Sequence, residues 1–228
     1  MLNSKELRVK AWNSLKGKYW MAFVVTLVMG VLASFGSTMI STSQQLMEVV
    51  GMVEPAQMDS TMAIGALVVS GISLVICLIG LAISVFVGNA AEVGLANYYI
   101  KNTDSNPTFA DAFLGFKVKY GRNIGTLLLM GIKIALWSLL FVIPGIIKTY
   151  EYAMIPYILA DDAEISSKEA FKKSKAMMNG NKWRLFKLNF SFIGWTLLAI
   201  VTCGVGTFFL VPYVAAANAE FYVELKNK

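Results

Sequence analysis

Residues 165–183 read ISSKEAFKKSKAMMNGNKW, with Lys168, Lys172, Lys173, Lys175 and Lys182 set between two strongly apolar blocks that hold few charges. Basic connections beside apolar spans mark the cytoplasmic side of a membrane protein, so this stretch predicts a topology. Ser166 and Glu169 have the Ser-x-x-Glu spacing of a capping box, in which each side chain satisfies a free backbone N–H at a helix start. The helix that follows places Ala170, Phe171, Ser174, Met177 and Met178 on one side. Lys168, Lys172, Lys175 and Asn179 fall on the other. Two readings follow. The helix lies flat on an anionic bilayer surface, with Lys168, Lys172, Lys175 and Phe171 as lipid contacts, or it is a solvated loop helix packed on its own protein.

Composition supports the membrane reading. Of 228 residues, 57% are hydrophobic and 15% charged, where a soluble domain carries about a quarter charged. The net charge of +6 comes mainly from basic residues flanking apolar spans, which marks topology and excludes a nucleic-acid partner. The chain has no histidine. That removes the usual general base, the usual zinc ligand and a Ser-His-Asp arrangement, so the expectation is a non-enzymatic protein with no catalytic, cofactor-binding or metal residues. Cys77 and Cys203 lie in apolar segments without metal-type neighbours and read as small buried hydrophobes.

The first nineteen residues hold Lys5, Arg8, Lys10, Lys16 and Lys18 against Glu6, and Leu7, Ala11 and Leu15 recur every fourth position. This predicts a short basic amphipathic helix from Asn3, retained rather than cleaved. Residues 20–40 are uncharged, and as a helix they would measure roughly 31 Å, one hydrocarbon thickness. Residues 41–61 carry Glu48, Glu54 and Asp59 but no Lys or Arg, which predicts an outside loop and a cytoplasmic N-terminus. The next run, 62–100, would be roughly 58 Å long as one helix, more than a bilayer needs. A bend is expected at Gly88-Asn89, and Gly80, Ser84 and Gly88 have the spacing that lets two membrane helices approach closely.

Residues 101–122 are basic again, and Thr108 and Asp111 repeat the capping spacing, which suggests a second interfacial helix. Residues 123–143 form a span that ends at Pro144-Gly145, read as a helix break. Residues 146–160 return, or the pair is re-entrant. Residues 185–201 go out, Gly204 and Gly206 allow a turn, and 207–222 come back. The predicted fold is all-α: one polytopic membrane helical bundle over 1–228, with six transmembrane helices in three hairpins and short basic interfacial helices. Both ends face the cytoplasm.

The hairpins also share residues in order. Ala112-Phe113 matches Ala170-Phe171, Gly121 matches Gly180, Trp137 matches Trp195, Gly145 matches Gly204 and Pro156-Tyr157 matches Pro212-Tyr213. Asn3, Glu6 and Gly17 are spaced as Ser166, Glu169 and Gly180. An internal repeat of units 3–100, 108–162 and 166–224 is the expectation, with shared membrane composition as the competing explanation.

Ionisable groups at membrane depth are costly and mark candidate sites. Here they are Glu92, Lys133, Lys148, Glu151 and Glu220. Lys148 and Glu151 are spaced to pair on one helix face. Lys133 falls near the bilayer middle and is expected to face Glu92, Glu151 or a wet cavity. Pro144, Pro156 and Pro212 each interrupt an apolar helix, as at transporter sites, although Pro is also common in ordinary membrane helices.

Ile143-Pro144-Gly145-Ile146-Ile147-Lys148, then Tyr152-Ala153-Met154-Ile155-Pro156-Tyr157-Ile158-Leu159-Ala160-Asp161, residues 174–180 and Phe192-Ile193-Gly194-Trp195 resemble the bacterial multi-pass membrane proteins of domain-of-unknown-function family 975. Ala11-Trp12 through Tyr19-Trp20 fits as well, so the resemblance covers nearly the whole chain. It implies a Gram-positive-type plasma-membrane protein with no established activity and no family catalytic residues. The leading expectation is an integral plasma-membrane protein that acts by interaction with anionic lipid headgroups or with protein, a homo-oligomer being left open. The second is a small transporter or channel with a path lined by Lys133, Glu92 and Glu151, and the third is an intramembrane hydrolase.

Overall fold

The computed structural model describes residues 2–53, 59–202 and 204–228. Glu54 and the rest of 54–58, within the expected outside loop, and Cys203 lie outside the described residues. The chain forms two compact units, one of Met1–Met29 with Ala90–Lys228 and one of Gly30–Asn89. Among the described residues, four helical stretches are long and apolar enough to cross a membrane: Tyr19–Gly51, Ser60–Asp104, Tyr120–Leu140 and Lys182–Val201.

The smaller unit is built from α2 (Tyr19–Gly51) beyond Met29 and α3 (Ser60–Ile83), which runs into a π-helical segment at Ser84–Gly88. Where a bend was expected, at Gly88-Asn89, this π-helical segment ends and the next α-helix begins. α2 does not end at residue 40. Residues 41–51, expected in the loop, continue the helix, and the hydroxyls of Thr38, Ser41, Thr42 and Ser43 donate back to carbonyls of the preceding turn. Such local bonds keep polar side chains compatible with a helical backbone.

The small-residue stripe closes this unit. A Cβ at Gly36 would collide with the Gly80 carbonyl and the Ser84 amide, one at Gly80 would meet the Gly36 carbonyl and Met39, and one at Gly88 would touch Ala33. Partner numbers fall on one helix as they rise on the other, so α2 and α3 run antiparallel. Backbone contact without side chains between them is what small-x-x-x-small spacing permits.

In the larger unit, α1 (Ser4–Leu15) starts at Asn3 with a complete capping box to Glu6. Its Leu7, Ala11 and Leu15 are buried against α12 (Val205–Lys226). α4 (Asn89–Asp104) contributes Val93, Tyr98 and Tyr99 to the core, the Tyr99 hydroxyl sharing a 2.6 Å hydrogen bond with Thr26. The Thr108–Asp111 box forms, but a 3-10 turn at Phe109–Phe113 and a single turn, α5 (Leu114–Lys117), follow it where a full interfacial helix was expected. Close packing limits this segment. A Cβ at Gly94 would overlap the Ala112 carbonyl, and one at Gly115 would overlap the Ala90 carbonyl. Lys101 donates to Asp111 at 2.6 Å, and this bond together with the Thr108 amide pulls the Asp111 carboxyl down to about 2.

α6 (Tyr120–Leu140) leads through extended Phe141 into α7 (Val142–Tyr152), α8 (Ile155–Asp161) and α9 (Ser167–Met178). The break expected at Pro144-Gly145 falls earlier, at Phe141, whose φ is −157°. Pro144 instead occupies the first turn of α7, where its missing N–H costs nothing. Gly145 serves close approach, because a Cβ there would collide with Ser138 of α6. Pro156 starts α8 in the same manner. Pro212, expected to interrupt a helix, sits inside an unbroken α12. Residues 182–201 are divided into α10 (Lys182–Phe190) and α11 (Ile193–Val201).

Candidate functional site

α9 begins as its sequence requires. Ser166 and Glu169 cap each other, the Ser166 hydroxyl donating at 2.7 Å and holding the Glu169 carboxyl below its usual range. The helix then packs its apolar side on α7 and α8. Phe171, expected at the lipid surface, is thereby turned inward and only 9% exposed, its ring edge-on to Tyr152 at 5.1 Å. Lys168, Lys172 and Lys175 remain exposed on the other side. None of the three has a carboxylate in ion-pair range among the described residues. Lys172 and Lys175 join Asn179 and Lys182 around a shallow cleft of about 350 Å³ with Glu151 in its wall.

Glu151 is the one acid among the described residues with two ion pairs. Lys148, one turn earlier on α7, donates to one carboxylate oxygen at 2.9 Å, as its spacing predicts. Lys182, at the start of α10, donates to the other, also at 2.9 Å. The backbone carbonyl of Glu151 accepts from the buried Ser174 hydroxyl at 2.8 Å. The first lysine was legible from helix periodicity. The second was not, because its approach depends on how α10 packs on α7.

Lys133 meets none of its expected partners. Its ammonium lies 3.7 Å from the centroid of the Phe171 ring, an aromatic face that attracts a cation through its quadrupole. This corrects the sequence expectation and has two causes. Docking of α9 delivers Phe171 to Lys133, and Glu151 is already taken by two other lysines. Glu220, on α12, pairs at 3.0 Å with Lys10 from the other end of the chain. The Glu220 side chain is 2% exposed while Lys10 is 53% exposed, so the lysine stem covers the acid and its head reaches outward.

Glu92 remains. It lines a cavity of about 460 Å³ together with Tyr99, Tyr157, Asn189, Asn218 and Pro156. Glu92 has no ion-pair partner among the described residues. Neither Lys133 nor Glu151 lines this cavity, nor do Pro144 and Pro212. Of the three residues foreseen on a solute path, only Glu92 is present. The side-chain oxygens of Asn189 and Asn218 are buried and receive no hydrogen bond from the protein. The sequence reading missed both asparagines, since a single Asn, whether beside Lys187 in Leu185–Asn189 or at the end of Ala215–Asn218, has no periodic signature.

Two arginines that the sequence reading did not single out make several long-range contacts each. Arg122, on α6, donates to the carbonyls of Leu159, Asp162, Ala163 and Ile165 and to the Asn123 side chain. It thereby organises the connection into α9. Arg184 donates to both oxygens of Glu224 at 2.8 and 2.9 Å and to the Leu2 carbonyl.

The model of a family described as protein of unknown function (DUF975) matches residues 139–228. That segment contains α7 to α12, and with them Glu151, α9, both cavity asparagines and the Pro-Gly and Pro-Tyr segments on which the resemblance rests. Neither a curated protein nor a solved structure matches the chain.

Proposed function

We propose that this is a bacterial plasma-membrane protein that crosses the bilayer six times in three hairpins and keeps both tails in the cytoplasm. It acts without catalysis by holding anionic lipid headgroups at the cytoplasmic leaflet. The observation that carries this reading is the exposed row of Lys168, Lys172 and Lys175 on a helix whose opposite side is anchored to the protein. Each such lysine contributes about 1 kcal/mol of attraction near an anionic surface. A docked helix holds the three in one plane without ordering them anew. The cleft among Lys172, Lys175 and Lys182 adds donors for a phosphate group.

Three copies of one unit, an amphipathic segment followed by a hairpin, fit the same scheme. Support comes from capping boxes at Asn3, Thr108 and Ser166 and from left-handed Gly17 and Gly180 at equal distances from their caps. In the middle unit the left-handed residue is Lys119, not Gly121.

Delipidated protein should retain phosphatidylglycerol in preference to phosphatidylcholine when the two are compared by native mass spectrometry. Replacing Lys168, Lys172 and Lys175 together by Gln should abolish that preference, and a preference left intact would overturn the lipid reading. The topology is tested separately. In proteoliposomes of one orientation, an impermeant maleimide should reach Glu48→Cys and Lys175→Cys from opposite sides, and labelling from one side would remove the three-hairpin scheme.

A further inference from the structure

The Glu92 cavity is chemically unlike every other polar site in the larger unit. Its lining includes one formal charge, the Glu92 carboxylate, and neither Lys nor Arg. Tyr99, Thr149, Tyr150, Tyr152 and Tyr157 contribute hydroxyls to the lining, and Asn189 and Asn218 contribute amides whose oxygens are themselves shut off from the open space. Leaving a carboxylate without a counter-charge in an apolar helix is costly. The molecule neutralises such acids elsewhere, with Lys148 and Lys182 at Glu151, Lys10 at Glu220 and Arg184 at Glu224. A cavity whose one formal charge is negative favours a cationic occupant.

Size and lining narrow the class. At about 460 Å³ the space is far larger than a bare metal ion needs, and it falls among cavities that hold small organic molecules. Leu95, Met130, Ile134 and Leu185 supply apolar wall, and Tyr99, Tyr150 and Tyr157 supply ring surface of the kind that accommodates organic cations. We propose that this cavity is a binding site for a small primary organic amine, its ammonium directed to Glu92 and its carbon body against the apolar wall. The proposal is independent of the lipid surface on α9. The asparagines come from α10 and α12 and the carboxylate from α4, so an occupied site would tie these three helices together.

Butylammonium chloride, tetramethylammonium chloride and sodium chloride, compared at equal ionic strength on the purified full-length protein in detergent, provide the test. Butylammonium should raise the unfolding temperature saturably, and tetramethylammonium, which has no N–H to donate, should bind at least about tenfold more weakly. Glu92→Gln should weaken butylammonium by at least about tenfold. If that variant does not fold, Glu92→Asp keeps the charge, draws it back by one methylene and should weaken butylammonium several-fold. No saturable shift with butylammonium, an equal shift in the variants, equal binding of tetramethylammonium, or saturation by sodium at the same concentrations would each overturn the amine site.

Discussion

Where α7, α9 and α10 meet, the carboxylate of Glu151 receives two ammonium groups at 2.9 Å each, and its side chain is 6% exposed. On α4 the carboxylate of Glu92 faces a cavity whose lining holds neither Lys nor Arg. Both acids interrupt apolar helices, and by composition alone they are equivalent. The difference lies in what neighbouring helices deliver. α10 brings Lys182 to Glu151, whereas neither α10 nor α12 brings a cation to the cavity that Glu92 lines. A neutralised acid of the first kind joins helices, and an acid without a counter-charge is left to act on something from outside.

The largest effect that would sharpen this contrast is at Glu151. Replacing it by Leu strands Lys148 and Lys182 and should destabilise the protein by about 2–3 kcal/mol, less than the roughly 3–5 kcal/mol of a fully buried pair because both lysines reach water. The matching Glu92→Gln change should cost no stability, since no internal partner is lost and an unpaired charge is removed. Chemical or thermal unfolding of the two variants side by side decides the matter, and equal losses would break the comparison.

A third carboxylate, outside the apolar spans, calibrates the smaller end. Asp111 is held at about 2, below its ordinary 3.8, first by Lys101 and then by the Thr108 amide. The depressed value means that its contribution is fully present above the ordinary carboxylate range and fades as pH falls through about 2. Protection factors of the amides in residues 108–117, taken against the intrinsic exchange rate at each pH, should therefore fall by a small factor between pH 4 and pH 2. The same acidification should leave that segment unchanged in an Asp111→Asn variant.

What was legible in the sequence was what depends on near neighbours. The boxes at Asn3, Thr108 and Ser166 form, Leu7, Ala11 and Leu15 are buried together, Lys148 reaches Glu151, and Gly80 and Ser84 pack against Gly36. Each follows from helical spacing or from the size of one residue. Reading proline as a break was less dependable. The backbone admits it in a first turn, as at Pro144 and Pro156, and α12 runs straight through Pro212. The residue that separates α6 from α7 is Phe141, which has no composition to announce it.

By itself the sequence determined a helical membrane protein, the starts of its amphipathic helices and the list of ionisable groups that needed an explanation. Only the tertiary structure decided how each was answered: Lys133 by the Phe171 ring, Glu220 by Lys10, Glu151 by Lys182 as well as Lys148, and Glu92 by an open cavity. The reason is range. Helix periodicity relates residues three or four apart, whereas an ion pair requires atoms within a few ångströms, and between distant segments that distance is set by which helix faces pack.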